Sequence, residues 1–425
     1  MSTTPVAVRA NSYRGYEHGP IPRENAELTH VDKGSPAGEY FRRFWQPVCY
    51  VDELGDVPVK VRLLGEDLVV FRDLSGNVGL LDRHCPHRGT SLEFGLVSEH
   101  GLRCCYHGWL FDVDGTILDV PAEPEGSTIP ERFCAYAYPT HVFNETVFAY
   151  LGPPDQRPPF PILDTYDQPG QWLMPGRSYT YPCNWLQILE NAVDPAHTAF
   201  LHTIVSGSQF TDEFGVLAEF SYRETPVGTT YVAARRVDAN VWVRMVEIVL
   251  PNIQQVSPIW ETGKVEHGPS GPMMTRWIVP IDNTNTLLLE FRHVPDDVEG
   301  VPDWWLDRNQ MLPAQLPMSD DPVENQLHPG DYEAQVGQRP ISIHDLEHLG
   351  TTDRGVMMFR RQLKRGIDAV RSGDDPPGLF REEGRVITTY TNDVVMPVAP
   401  AHSPADDREL LRRVGDEHSE RHLAR

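Results

Sequence analysis

The sequence predicts an α+β chain, with an N-terminal all-β domain followed by a larger domain in which an antiparallel sheet is flanked by helices. Three observations carry that expectation. Short β-rich runs (VKVRLL, DLVVF, VGLLD, HVFNETVFAYL) recur from about Val59 to Phe148, separated by turn signals such as Ser75-Gly76-Asn77 and Asp114-Gly115. A proline-rich polar stretch from Gly152 to Asp164 makes a linker. After it, helix-like segments alternate with longer strand-like runs.

In chain order, residues 1–40 read as an arm and 41–155 as the small β domain. Residues 156–400 form the larger domain and 401–425 a charged tail. Within the larger domain Trp185–Asn191 is helix-like. GTTYVAARRV, NVWVRMVEIVL, MTRWIVPI and TLLLEFRHV read as strands, and Ile343–Val370 has helical character. His402–Arg425 is charged enough to be a solvated helix or a tail. The 38 Pro and 33 Gly are dispersed, which favours turns and short strands over a helical bundle, and no internal repeat is visible.

Composition excludes several classes. With 40% hydrophobic residues the chain can bury a large core and is not a disordered tail. Thirty-seven Lys and Arg against 61 Asp and Glu give a net charge of −24, which disfavours nucleic acid and anionic membrane surfaces as partners. No stretch approaches the roughly 18 consecutive apolar residues of a spanning helix. The N-terminus, MSTTPVAVRANSYRG, lacks the basic start and apolar run of a secretory signal. Six Cys are too sparse for a disulfide scaffold, so a reducing cytoplasm is the expected compartment.

Two constellations carry chemistry. Cys85-Pro86-His87 is followed, after sixteen intervening residues, by Cys104-Cys105-Tyr106-His107. Each loop offers one thiolate and one imidazole and is bounded by glycine, at Gly89 and Gly108. Such a set can bind zinc as Cys2His2, or a [2Fe–2S] cluster with two Cys on one iron and two His on the other. Zinc knuckles keep the two Cys together and the two His together, whereas here each loop mixes S and N donors, which favours the cluster. The second constellation is Asp194-Pro195-Ala196-His197 followed by His202, within ENAVDPAHTAFLH. Two imidazoles with one carboxylate make the facial triad of non-haem iron oxygenases. On an ideal helix His197 and His202 lie about 140° apart at about 100° per residue, so the helix must distort or end for them to share a metal. Pro195 is the expected cause of a break.

CPHRG and CCYHGW together resemble the Rieske [2Fe–2S] motif of the oxygenase type, without the extra Cys pair of high-potential Rieske proteins. ENAVDPAHTAFLH resembles the mononuclear iron motif of Rieske non-haem iron aromatic-ring-hydroxylating oxygenases, the α (oxygenase) component, of the phthalate-dioxygenase-like group. The resemblance implies that Cys85, His87, Cys104 and His107 hold the cluster and that His197 and His202 hold Fe(II). Cys105 sits where that group usually has Pro, so it is expected to be a small structural residue. The third iron ligand the resemblance implies is Asp331, ten residues before the Ile of Pro340-Ile341 and upstream of the E-x-LG-[ST]-[ST]-D-like segment Glu347–Asp353. The match is partial, because Val336-Gly337 replaces the usual Glu-Ser. Asp353 is the competing ligand, read as a helix N-cap, and Glu347 and His348 as surface or packing residues.

The resemblance further gives Asp194 a bridging role between His107 of one subunit and an iron-ligating His of the next. That implies a head-to-tail homo-oligomer, a trimer or hexamer. It implies O2 as co-substrate and electrons from a separate NAD(P)H-dependent reductase, with or without a ferredoxin, since this chain has no G-x-G-x-x-G. The substrate it implies is an aromatic carboxylate, by hydroxylation or O-demethylation of a lignin-type acid or by cis-dihydroxylation of a phthalate-like one. A cluster-only electron-transfer protein is the reading from another class. Arg235, Arg236, Arg244 and Arg276 lie in or beside strand-like runs, and an inward Arg could grip a carboxylate; Arg235 and Arg236 must face opposite ways. Val205, Phe210 and Ile253 are apolar candidates for the pocket.

Overall fold

A computed structural model describes residues 23–259, 267–299, 301–312, 314–317 and 319–425. The extreme N-terminal stretch considered for a signal lies outside them.

The first domain is built from short antiparallel strands. Val59–Leu63, Glu66–Arg72 and Val78–Asp82 form a meander joined by Ala137–Tyr138. A second four-stranded sheet runs through Leu96–Val97, Leu102–Arg103, Leu110–Phe111 and Ile117–Asp119, and Gln46–Tyr50 pairs with the hairpin Thr140–Phe143/Thr146–Ala149. Val69, Phe71, Leu81, Leu102 and Phe111 fill the core between the first two sheets, and Cys85 and Cys104 belong to the same cluster.

The second domain is a ten-stranded sheet, along which Gln171–Pro175, Thr286–Pro295, Met274–Pro280, Ile253–Val256, Asn240–Val249, Gly228–Val237 and Glu219–Glu224 follow one another. The four runs read from the sequence as strands are strands. The Gly228–Val237/Asn240–Val249 hairpin pairs Ala233 with Arg244 and Arg235 with Trp242, so Tyr231, Ala233, Arg235 and Arg244 share one face. Trp185–Ala192 is a helix whose first turn is capped by the Asn184 side chain, which accepts from Leu186 N–H at 3.1 Å. Among the described residues no helix is long and apolar enough to cross a membrane.

Three segments at the edges of the domains are packed against the body of the molecule. The described part of the arm is packed: Leu28, Val31, Tyr40 and Phe41 are buried, and Phe41 sits edge-on to Trp185 at 4.7 Å. The proline-rich stretch is tied down, because Ile162–Leu163 pairs in parallel with Val386–Ile387 and Trp45 Nε1 donates to Pro158 O at 3.0 Å. The tail is the helix Pro404–Leu423, with Leu411, Gly415, His418 and Ser419 buried against the sheet face opposite Arg235. Its charges occupy the outer side, and Arg236 pairs with Asp407 at 2.7 Å. One buried stripe in a highly charged helix is enough to anchor it.

Candidate functional site

The two Cys/His loops of the first domain share one backbone pattern. In each, the Cys carbonyl accepts from the N–H of a glycine four residues on (Gly89 N to Cys85 O, 2.8 Å; Gly108 N to Cys104 O, 3.1 Å). In each, the Cys N–H donates to the carbonyl five residues on (Thr90 at 2.9 Å, Trp109 at 2.8 Å). Both glycines have the positive φ this turn needs, 74° and 77°. The loops bring the His87 and His107 rings to 4.5 Å, with His87 stacked flat on Trp109 at 4.6 Å. The thiols are buried and the imidazoles half-exposed. Burial, with the adjacent Cys104 thiol, pushes the Cys85 thiol up to about 11, so a thiolate there requires a nearby cation. Two thiols inside and two imidazoles outside fit an Fe–S cluster with unlike irons. Cys105 is exposed.

In the second domain His197, His202 and Asp331 converge, their ligand atoms all within 4.8 Å of one another. Asp331 Oδ1 lies 3.7 Å from His197 Nε2 and 3.4 Å from His202 Nε2. The helical path does break around Pro195, between Trp185–Ala192 and His197, but the distortion that matters for the two rings comes after it. His197–Ala199 is one α-turn that passes into a π-helical segment, Phe200–Val205. Bonding of i to i+5 aligns residues five apart, which is the spacing of His197 and His202. Two imidazoles and a carboxylate suit a six-coordinate iron with open positions. Asp353 is elsewhere, at the N-cap position of the helix Arg354–Ser372, where its carboxylate accepts from Gly350 N at 2.5 Å. Glu347 is gripped by Arg360, and His348 is exposed.

A cavity opens over the three residues. Phe210, Val246, Val256 and Met273 give it apolar walls, and Arg244 and Arg276 also line it. Of the other candidates, Arg235 is sealed beneath, donating to Thr198 Oγ1 at 2.8 Å and lying over Phe214 and Trp242. Arg236 faces the C-terminal helix. Ile253 belongs to the main core, and Val205 is exposed on the outer side of the π-helical turn.

The Rieske [2Fe-2S] domain family matches residues 44–138. Tert-butanol monooxygenase / tert-amyl alcohol desaturase oxygenase subunit of Aquincola tertiaricarbonis is 40% identical, across 96% of this chain and 91% of that protein. The chain belongs to the Rieske non-haem iron oxygenases. Phenoxybenzoate dioxygenase subunit alpha of Ectopseudomonas oleovorans is 36% identical, across 90% of this chain and 93% of its own. The solved structure of a Pseudomonas putida CBB5 NdmA mutant with caffeine has the same fold, with a TM-score of 0.61 and 20% identity, across 82% of this chain and 99% of that one. This Rieske oxygenase is therefore an oxidoreductase and the terminal oxygenase component of its system, with a [2Fe–2S] cluster and a mononuclear iron as cofactors.

Around the oxygenase's three converging residues, neutral groups fix each donor. His202 Nδ1 shares a hydrogen bond with Gln209 Oε1 at 2.8 Å. His197 Nδ1 is held by the Asp194 carbonyl, with the Asp194 carboxylate 3.7 Å away. Asp331 accepts from Asn191 Nδ2 at 3.3 Å and from Gln315 Nε2 at 2.6 Å. Burial opposes ionisation of Asp331, yet His202, His197 and Gln315 hold it well below the usual carboxylate range. Burial likewise opposes charge on His197, but Asp194 and Asp331 raise it. Gln209 and Gln315 carry no sequence signal, since a lone Gln between prolines or after a turn belongs to no metal motif. Asn191 sits inside the recognised string without a spacing rule to single it out.

Proposed function

We propose that this Rieske oxygenase inserts oxygen into an aromatic carboxylate, by ring hydroxylation or by O-demethylation of a lignin-type acid. The observation that carries this reading is Arg244. It lines the cavity, is 5% exposed, and among the described residues has no carboxylate partner. Tyr231 OH accepts from its Nη1 at 2.6 Å and Ser257 O from its Nη2 at 3.1 Å, which sets the guanidinium rigidly; its Nε has no hydrogen-bond partner. A buried cation with spare donor capacity stabilises an anion brought to it. Arg276 is less suited, because its guanidinium is already bonded to Glu290 and Gln315.

The residues divide the work as follows. Cys85, His87, Cys104 and His107 hold the cluster, and His197, His202 and Asp331 hold the iron. When bound, the cluster relays single electrons and the iron activates oxygen. Arg244 anchors the substrate carboxylate while the apolar walls orient its ring and exclude water. Asp194 lies beside His197 with its side chain 29% exposed, open to a group from outside the chain. We assign it the bridge to His107 of a neighbouring copy in a homotrimer or stacked hexamer. Exposed apolar residues support a head-to-tail contact: Phe200, Ile204 and Leu217 near the iron motif, Tyr106, Leu96 and Phe94 on the cluster domain. The domain limits 41–155 and 156–400, a cytoplasmic site, and an NAD(P)H-dependent reductase with or without a ferredoxin belong to the same reading.

The 40% identity to a tertiary-alcohol oxygenase favours a second reading, a small branched alcohol in the same cavity. Single turnover of the chemically reduced protein with methoxylated and unmethoxylated aromatic acids and with tert-butanol decides between them. Turnover of an acid, with Arg244→Met lowering kcat/KM by about 30-fold or more, supports the carboxylate reading, since a lost buried charge pair costs about 2–5 kcal/mol. Turnover of tert-butanol alone refutes it. Formaldehyde with a phenol identifies O-demethylation, and a diol without formaldehyde identifies ring dioxygenation.

A further inference from the structure

We infer that Gln315 is a positioning residue that makes Asp331 offer a single oxygen to the metal, an inference that rests on the iron site proposed above. Gln315 is 6% exposed and fixed at three points. Its Nε2 donates to Asp331 Oδ2 at 2.6 Å, its Oε1 accepts from Arg276 Nη1 at 2.8 Å, and its main-chain carbonyl accepts from Tyr181 OH at 2.6 Å.

The amide has only one workable orientation. Arg276 can only donate and the Asp331 carboxylate can only accept, so the amide oxygen must face the first and the amide nitrogen the second. Arg276 cannot drift, because Glu290 Oε2 accepts from its Nη2 at 3.3 Å, and Arg292 holds Glu290 Oε1 at 3.2 Å. The sheet thus transmits its rigidity along Glu290, Arg276 and Gln315 to one oxygen of Asp331. The other oxygen, Oδ1, is the one that faces both His Nε2 atoms. Holding Oδ2 in a short hydrogen bond would leave Oδ1 as the oxygen that Asp331 offers to a bound metal. It also gives Arg276 a function that needs no contact with substrate.

The test uses the full-length protein with its cluster intact. Ferrous iron binding is titrated after chelation of the mononuclear site, and the electron paramagnetic resonance of the nitric oxide adduct is recorded for wild type, Gln315→Met, Gln315→Asn and His197→Ala. Methionine keeps the side-chain length without either hydrogen bond, and asparagine withdraws the amide. Both variants should bind ferrous iron about 10–100-fold more weakly, with an altered nitrosyl line shape and unchanged cluster absorption. Affinity within about twofold of wild type and an unchanged line shape, in whichever variant retains cluster absorption, overturns the inference. Retention of iron by His197→Ala fails the site reading instead, whatever the Gln315 variants do.

Discussion

Glu247 is a carboxyl group with no exposed surface, in the Asn240–Val249 strand. Its oxygens accept from the Thr225 hydroxyl at 2.6 Å and from Tyr390 N–H at 2.5 Å, and among the described residues no basic side chain pairs with it. Burial outweighs both bonds and pushes it up from 4.5 to about 8. Between those values the unfolded chain has released this proton and the folded chain has kept it, so stability falls as pH rises. From well below pH 4.5 to pH 7 the shift covers about 2.5 pH units, or about 3 kcal/mol at 1.36 kcal/mol per unit. Glu247→Gln removes the titration while retaining an amide that can bond Thr225 and Tyr390. Urea unfolding from pH 4.5 to 7 should show wild type losing about 3 kcal/mol relative to the variant. Two curves that stay parallel within about 1 kcal/mol would mean that Glu247 is ionised in the fold, and the reasoning from burial would fail.

Arg360→Met leaves Glu190, which is 8% exposed, facing Glu347 without the guanidinium that grips both. Urea unfolding should register a loss of about 3–5 kcal/mol, and a loss below about 1 kcal/mol would show the pair to be replaceable by water. Gly108→Ala combines a φ of 77° with a Cβ only 2.9 Å from Pro121 Cγ, whereas a Cβ at Gly89 meets open space at a φ of 74°. Cluster absorption per chain should therefore fall further in Gly108→Ala than in Gly89→Ala, and equal losses would contradict the steric argument. Asp194→Asn should keep cluster absorption and iron content yet slow oxygen-dependent reoxidation of the reduced cluster about 10–100-fold. Unchanged reoxidation would remove Asp194 from the electron path.

Much of the framework was legible because period and spacing are local properties. The runs at 228–237, 240–249 and 286–295 read as strands and are strands, buried almost throughout rather than on one face only. His197 and His202 were legible as a pair that a distorted helix brings together, but the form of the distortion was not, since nothing in Thr198-Ala199-Phe200-Leu201 announces a π-helical turn. Strand alternation separated Arg235 from Arg236 without saying which faced the cavity, and neither does; Arg244 and Arg276 do. What escaped is what depends on long-range packing. Gln315 meets Asp331 through a loop, Leu28 and Tyr40 leave the arm to join the core, and a charged C-terminal segment finds a sheet face through one narrow stripe.

The leading helices, Ala26–Thr29 and Pro36–Phe41, precede the cluster domain in sequence but are clasped by the iron domain. Asn184 Nδ2 donates to Thr29 O at 2.9 Å, Asn283 Oδ1 accepts from Val31 N at 2.8 Å, and Gly366 leaves space for the Tyr40 ring. The cluster domain is thus an insert stitched into its host at both ends. A graft that exchanges it between relatives must cut twice, near residues 42 and 152, and leave the leader with the recipient. A single cut at the proline-rich segment would strip Trp185 of Phe41.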